Sequence, residues 1–273
     1  SLTGKPGSFK AELNLRPRYI DADRCTACGL CTTYCPKHLA DPFNEGLDLT
    51  RPIHIDYPQA VPATYFIDPE SCLHLQHDTC QICVPVCQSK ASDFSQQPEE
   101  MTLEVGAVIM SPGFCRISEE TLAKYSYGKH PDVVTSIEFE RLLSASGPNG
   151  GHLVKPSDNT EPKKIAWLQC VGSRDINKGD HRYCSGVCCM YANKQAVIAK
   201  EHSDVDLDTT IFFMDMRTHG KDFDKYNIRA EDESGVRSIR SRFHSVFLRH
   251  DDSLRIVHAT ASGFAVRDTF HID

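Results

Sequence analysis

Four cysteines near the start of the chain constrain its fold more than any other feature. Cys25, Cys28, Cys31 and Cys35, followed by Pro36, form the run C-x2-C-x2-C-x3-C-P, which is the spacing of cubane iron–sulfur ligation. Thiolates two residues apart can each take a corner of one cluster only on a tight loop, with the loop's backbone amides turned toward the sulfides. The fourth cysteine, expected at a helix start, then reaches a different cluster. A fold built on this run must bring a second cysteine group beside the first.

That second group is present. Cys72, Cys80, Cys83 and Cys87 follow Phe66-Ile67-Asp68-Pro69-Glu70-Ser71, and the first group follows Tyr19-Ile20-Asp21-Ala22-Asp23-Arg24. The two lines match at aromatic, Ile, Asp, acid and Cys, so the segment is an internal duplication. As in two-cluster ferredoxins, the natural assignment crosses over. One [4Fe–4S] cluster takes Cys25, Cys28, Cys31 and Cys87; the other takes Cys72, Cys80, Cys83 and Cys35. The second group departs from the pattern: seven residues separate Cys72 from Cys80, His74 and His77 lie in that gap, and Gln88 replaces the proline. A three-iron cluster and a zinc site using His74 or His77 are the alternatives there. Zinc sites more often use two C-x2-C pairs, and the duplication favours two four-iron clusters.

The thirteen cysteines are an odd number, which argues against a closed disulfide framework and for metal or cluster ligation in a reducing cytoplasm. The net charge of −7, with no basic block, gives no reason to expect nucleic acid. No apolar run is long enough to span a membrane, and no leader is visible at the start.

Past residue 97 the texture changes. Residues 103–110 read as a buried strand closed by Ser111-Pro112-Gly113, and Thr135 with Glu138 is spaced as a capping box for a helix over 136–143. Gly147 to Gly151 form a breaker cluster. From Lys164 the pattern predicts strand 165–169, helix 182–202, strand 209–214, helix 222–232 and strand 236–240, a βαβαβ unit with a parallel sheet. Three short strands follow from Ser245, with turns at Asp251-Asp252 and Ser262-Gly263. The fold class is therefore α+β and α/β. Its expected parts are a two-cluster module with a lead-in over 1–97, a connecting segment over 98–151, and a Rossmann-like region over 152–273.

A third cysteine group occupies that region. Cys170 ends the first strand, and Cys184, Cys188 and Cys189 open the helix that follows. The glycine fingerprint that would admit a pyrophosphate at such a junction is missing, and four thiols stand there instead. They read as ligands of a third iron–sulfur cluster, with buried or redox-active thiols as the alternative. Cys115 has no partner group and is expected to be buried and inert.

Cys170-Val171-Gly172-Ser173-Arg174-Asp175, then Tyr183-Cys184-Ser185-Gly186-Val187-Cys188-Cys189-Met190-Tyr191-Ala192, then Lys194-Gln195-Ala196 resemble the A subunit of heterodisulfide reductase and its relatives in sulfate reducers. The resemblance extends to the segment from Phe139 to Pro148 and to that from Pro58 to Pro62. It implies an iron–sulfur flavoprotein built like thioredoxin reductase, with a two-cluster ferredoxin module inserted into its flavin-binding domain. It also implies a third cluster on Cys170, Cys184, Cys188 and Cys189, close to the flavin. The family's flavin-binding glycine motif lies upstream of this chain, and Ser111-Pro112-Gly113 stands where Ala-Thr-Gly is usual. FAD is thus expected in the full-length protein, with Gly113 as this chain's share of its site and no tight FAD binding by the chain alone. The implied role is electron relay between the flavin and other redox subunits, with no catalytic residue in this segment. The rival is a thiol–disulfide oxidoreductase using Cys184, Cys188 and Cys189.

Overall fold

The computed structural model describes residues 1–174, 181–250, 253–260 and 267–272, with 242–244, 259–260 and 267–272 described as backbone alone. The chain divides into two units, Ser1–Phe114 and Cys115–Asp273.

The first unit opens on β1 (Leu2–Lys5) and β2 (Ser8–Leu15), a hairpin where the sequence pattern indicates only a lead-in. Its cysteine loops carry α1 (Leu30–Tyr34), β3 (Leu39–Ala40), β4 (Leu49–Thr50), β5 (Ile53–His54), β6 (Phe66–Ile67), α2 (Leu73–His77) and α3 (Cys83–Val86). Then β7 (Glu99–Val105) returns to pair with β2, giving an antiparallel sheet in the order β1-β2-β7. Residues directly opposite in such a sheet share a face. With Ala11 opposite Leu103 and Leu13 opposite Met101, one face is apolar, and the other carries Lys10, Glu12, Glu100 and Glu104. The apolar face stays open: Leu13 is 40% exposed and Met101 42%.

The strand expected over 103–110 is displaced and is not buried. Its ladder is set by β2, whose Phe9 faces Val105, and it closes where the Gly7 N–H meets the Gly106 carbonyl at 2.9 Å. Beyond Gly106 the run has no strand to pair with among the described residues, and Ile109 is 91% exposed.

The duplicated halves share a core. Ile20 and Ile67, equivalent in the two repeats, are buried with Ile53 and Ala91, and Cys25, Cys31, Cys35, Cys72, Cys83 and Cys87 pack against them. Ile67 pairs with Ile53 across the short β5–β6 ladder.

The second unit contains α4 (Glu119–Leu122) and α5 (Ser136–Leu143) ahead of its sheet. The expected capping box opens α5: Glu138 N–H donates to Thr135 Oγ1, and Thr135 N–H donates to Glu138 Oε2. The strand–helix alternation is also present. β8 (Lys164–Leu168), α6 (Cys188–Glu201), β9 (Asp208–Phe213), α7 (Phe223–Asp232) and β10 (Arg237–Leu248) run in order, with β8, β9 and β10 parallel. Ala192, Ala196 and Ala199 line one face of α6 and are fully buried, because their spacing stacks them on one side of the helix. α6 starts six residues later than expected, after a turn in which Gly186 takes a positive φ of 76°.

The predicted break after residue 240 is absent. β10 is one strand that changes partner: Arg237 to Arg240 pair with β9, and from Ser241 it pairs antiparallel with β11 (Leu254–Thr260) past a bulge between Phe243 and Ser245. β12 (Arg267–Ile272) completes the order β12-β11-β10-β9-β8. The turns expected at Asp251-Asp252 and Ser262-Gly263 lie outside the described residues. Phe212, Val246, Leu254 and Ile256 form one buried cluster of this unit.

Candidate iron–sulfur sites

In each half of the first unit an aspartate delivers the first cysteine. Asp21 Oδ1 accepts the amides of Asp23 and Arg24 at 2.9 and 3.3 Å, and its carbonyl accepts the Cys25 amide at 3.0 Å. Asp68 repeats this with Glu70 at 3.0 Å and Cys72 at 3.1 Å. These are Asx turns, in which a short carboxylate replaces a backbone acceptor. Gly29, at φ 80°, then turns the chain into α1. Cys35 does not start a helix as expected; it closes α1 in an extended conformation, and Cys87 closes α3 in the same way. The capping position is what turns the fourth cysteine of each group out of its own loop.

The thiols sort into crossed sets. Burial pushes the Cys31 thiol up to about 12, and negative charge at Cys25, Cys28 and Cys87 adds to the rise. Burial likewise pushes Cys83 up to about 11, with Cys72, Cys80 and then Cys35 adding. Cys35, Cys72, Cys80 and Cys83 line one cavity together with Ile53, Ile67 and Phe94. Burial opposes ionisation of Cys87, but hydrogen bonds from Ser89 and from the amides of Ala91, Ser92 and Lys90 outweigh it and hold this thiol below its usual value. The Ala91 amide donates to Cys87 Sγ at 3.2 Å.

The chemistry of these sets suits iron–sulfur clusters. All thirteen cysteines are unpaired, so thiols that disfavour one another's ionisation crowd together without a disulfide to relieve them. Cationic iron removes that penalty, and N–H···S bonds to the thiolates are the usual complement. Among the described residues no three His, Cys, Asp or Glu side chains converge as a single metal ion would require; Cys35, Cys72, Cys80 and Cys83 border a cavity instead. The long gap before Cys80 is taken up by α2, closed by Asp78 at φ 54°. His74 Nε2 bonds with Gln81 Nε2 at 3.2 Å, and Nδ1 lies 2.9 Å from Asp78 Oδ1 without hydrogen-bond geometry.

The third group also comes together, beyond the carboxyl ends of β8 and β9, where open α/β sheets place their ligands. Cys170 turns off β8 at φ 63°. Burial raises its thiol, and Cys188 and Cys184 add to the rise, while the Met214 amide bonds to it. Cys188 and Cys189 share a hydrogen bond that raises the Cys188 thiol and draws Cys189 down. Cys189 is buried, 3.8 Å from the Asp215 carbonyl, and takes a hydrogen bond from the Arg217 amide.

The sequence pattern does not reveal the charges beside this group. Asp215 receives Arg174 at 2.7 Å, Arg240 at 3.3 Å and Arg217 at 3.7 Å. No local pattern joins these four residues; only the parallel pairing of β9 with β10 brings Arg240 to Asp215. Cys115, expected to be buried, is exposed, since it lies in a stretch without helix or strand that offers no core to enter. Gly113 has a positive φ of 74° and nothing near its α-carbon's free side.

A 4Fe-4S binding domain model matches residues 18–38, which contain Cys25, Cys28, Cys31 and Cys35. Over 253 residues, 93% of its length, the chain is 38% identical to the A subunit of the H2:CoB–CoM heterodisulfide, ferredoxin reductase of Methanothermobacter thermautotrophicus. It is 43% identical over 240 residues, or 88% of its length, to an iron–sulfur A subunit of CoB–CoM heterodisulfide reductase from Methanopyrus kandleri. With the corresponding Methanocaldococcus jannaschii protein it shares 38% over 242 residues, 89% of the chain and 36% of that protein. The chain corresponds to a section of the heterodisulfide reductase A subunit. It spans 37% of the length of the Methanothermobacter protein and 35% of the Methanopyrus one. The match supports an iron–sulfur electron-transfer role for this section of the heterodisulfide reductase A sequence and does not favour thiol–disulfide chemistry. Among the described residues no helix is long and apolar enough to cross a membrane.

Proposed function

We propose that this section relays single electrons between a flavin and partner redox subunits of a heterodisulfide reductase-like complex, through three iron–sulfur clusters. Cys25, Cys28, Cys31 and Cys87 hold one [4Fe–4S] cluster, and Cys72, Cys80, Cys83 and Cys35 hold the second. Cys170, Cys184, Cys188 and Cys189 hold the third. The observation that carries this reading is the crossing: Cys35, from the first group, lines one cavity with Cys72, Cys80 and Cys83 of the second, and Cys87 lies within electrostatic reach of Cys31. A pair of independent zinc knuckles has no use for that exchange.

When bound, the clusters supply one-electron donor and acceptor levels. The chain's own contribution is mechanical and electrostatic. Ile20, Ile53 and Ile67 form the apolar wall against which six of the cysteines pack, and backbone amides such as that of Ala91 bond to the sulfurs. The βαβαβ unit is read as part of a thioredoxin-reductase-like Rossmann region. FAD is assigned to the longer protein, with Gly113 as a residue of its site, and the cytoplasm is the compartment that suits such thiols.

Anaerobic reconstitution with iron and sulfide, counted per chain beside the EPR spectrum, tests the reading. About twelve irons support three cubanes. About eight remove the third group from the ligands, about seven indicate a three-iron centre at the second loop, and zinc without labile sulfide overturns the whole assignment.

A further inference from the structure

We propose that Arg174 is a charged hydrogen-bond donor to the third cluster and sets its reduction potential, a reading that rests on Cys170, Cys184, Cys188 and Cys189 holding that cluster. The protein accounts for only part of this guanidinium. Arg174 Nη2 meets Asp215 Oδ2 at 2.7 Å, while Nη1 is buried with no hydrogen-bond partner among the described residues. Leaving a buried guanidinium N–H unmet is costly, so the position asks for an acceptor that the described residues do not provide. Asp215, which holds Arg174, has its carbonyl 3.8 Å from Cys189 Sγ, and the Cys170 and Cys184 thiols interact with the Arg174 charge, so the guanidinium lies within electrostatic reach of the cysteine group. Thiolate and sulfide are suitable partners, and donors to sulfur are a recognised lever on cluster potential.

The surrounding charges strengthen the effect. Arg174, Arg217 and Arg240 share the single carboxylate of Asp215, leaving an excess of two positive charges. That corner is joined to the ligand set itself, because Asp215 and Arg217 also contact the Cys189 thiol through their backbone. On reduction the cluster takes one electron from its donor, which is oxidised by one. Iron and sulfide are conserved, and the cluster becomes more negative by one charge. Neighbouring guanidinium charge stabilises that product and raises the potential.

The test is an EPR-monitored redox titration of the reconstituted chain, following the signal that Cys184→Ser removes. Arg174→Gln should lower the reduction equilibrium constant of that centre about tenfold, which is 59 mV for a one-electron couple. Arg174→Lys should fall between it and the wild type, and Asp215→Asn should shift the midpoint upward by freeing the arginines of their counter-charge. The signals of the ferredoxin pair should not move. Unchanged midpoints in Arg174→Gln and Asp215→Asn would overturn the proposal. If Arg174→Gln fails to hold the cluster, Asp215→Asn decides alone, since it leaves every ligand in place. A wild-type chain with only the ferredoxin signals would instead remove the third cluster, and this inference with it, a result distinct from an unmoved midpoint.

Discussion

Asp21 and Asp68 do the same work in the two halves of the cysteine module: each carboxylate accepts an amide two residues on, at 2.9 and 3.0 Å, and each carbonyl accepts the amide of a first cysteine. Asp21→Ala and Asp68→Ala should therefore each destabilise the unit by about 1 kcal/mol, the usual worth of such a hydrogen bond. The damage should be local. Iron release to a chelator should accelerate at the first cluster in Asp21→Ala and at the second in Asp68→Ala. Equal acceleration at both would mean that the turns do not act separately.

The crossing makes a sharper prediction. Cys87→Ser should alter the EPR signal of the cluster otherwise held by Cys25, Cys28 and Cys31, and Cys35→Ser that of the cluster held by Cys72, Cys80 and Cys83. Signals that instead followed each group's own fourth cysteine would show that every group closes on itself.

Iron removal should affect the two units differently. In Ser1–Phe114 the core of Ile20, Ile53, Ile67 and Ala91 is small, and six cysteines form its wall. In Cys115–Asp273 the buried cluster of Phe212, Val246, Leu254 and Ile256 has no cysteine among the described residues packed on it, Cys189 being buried elsewhere in the unit at the start of α6. Where ligands line the core, binding energy is folding energy. Hydrogen exchange after chelation should rise across residues 18–94 and stay low in β8, β9 and the first half of β10. Loss of protection in both units together would contradict this.

Cys115 is exposed and belongs to none of the three groups. In the cluster-loaded chain a small alkylating reagent should modify this thiol and spare the twelve others, read by peptide mass spectrometry. Rapid labelling of Cys170, Cys184, Cys188 or Cys189 under the same conditions would show that the third group is not engaged.

What the sequence disclosed, and what it withheld, divides along contact distance. The cysteine spacing, the repeated Ile-Asp pairs, the capping box of α5 and the helices of the βαβαβ unit are local patterns. Their physics lies in turns, caps and periodicity within a few residues. The pairing of β2 with β7 joins segments separated by the entire cysteine module, and neither strand announces its partner. The same limit hid the change of partner along β10 and the meeting of Arg174, Arg217 and Arg240 on Asp215. Cys115 departs from expectation for a related reason: a lone cysteine is usually buried, but only if a core lies within reach.

In the β2–β7 ladder Leu15 stands opposite Glu99. The chain therefore leaves for the cysteine module and comes home at a single point. A slip of one residue would swap every side chain of β7 between the oily and the charged side and part the cross-strand pairs of Phe9 with Val105 and Lys10 with Glu104 that mark this register. Everything between is a closed excursion hung from a fixed clasp, and its ends bear no strain from the distance travelled inside it. Such a module is a cassette: residues 16–98 could be exchanged for a tight turn, or for another module whose ends lie equally close, with the sheet's register unchanged.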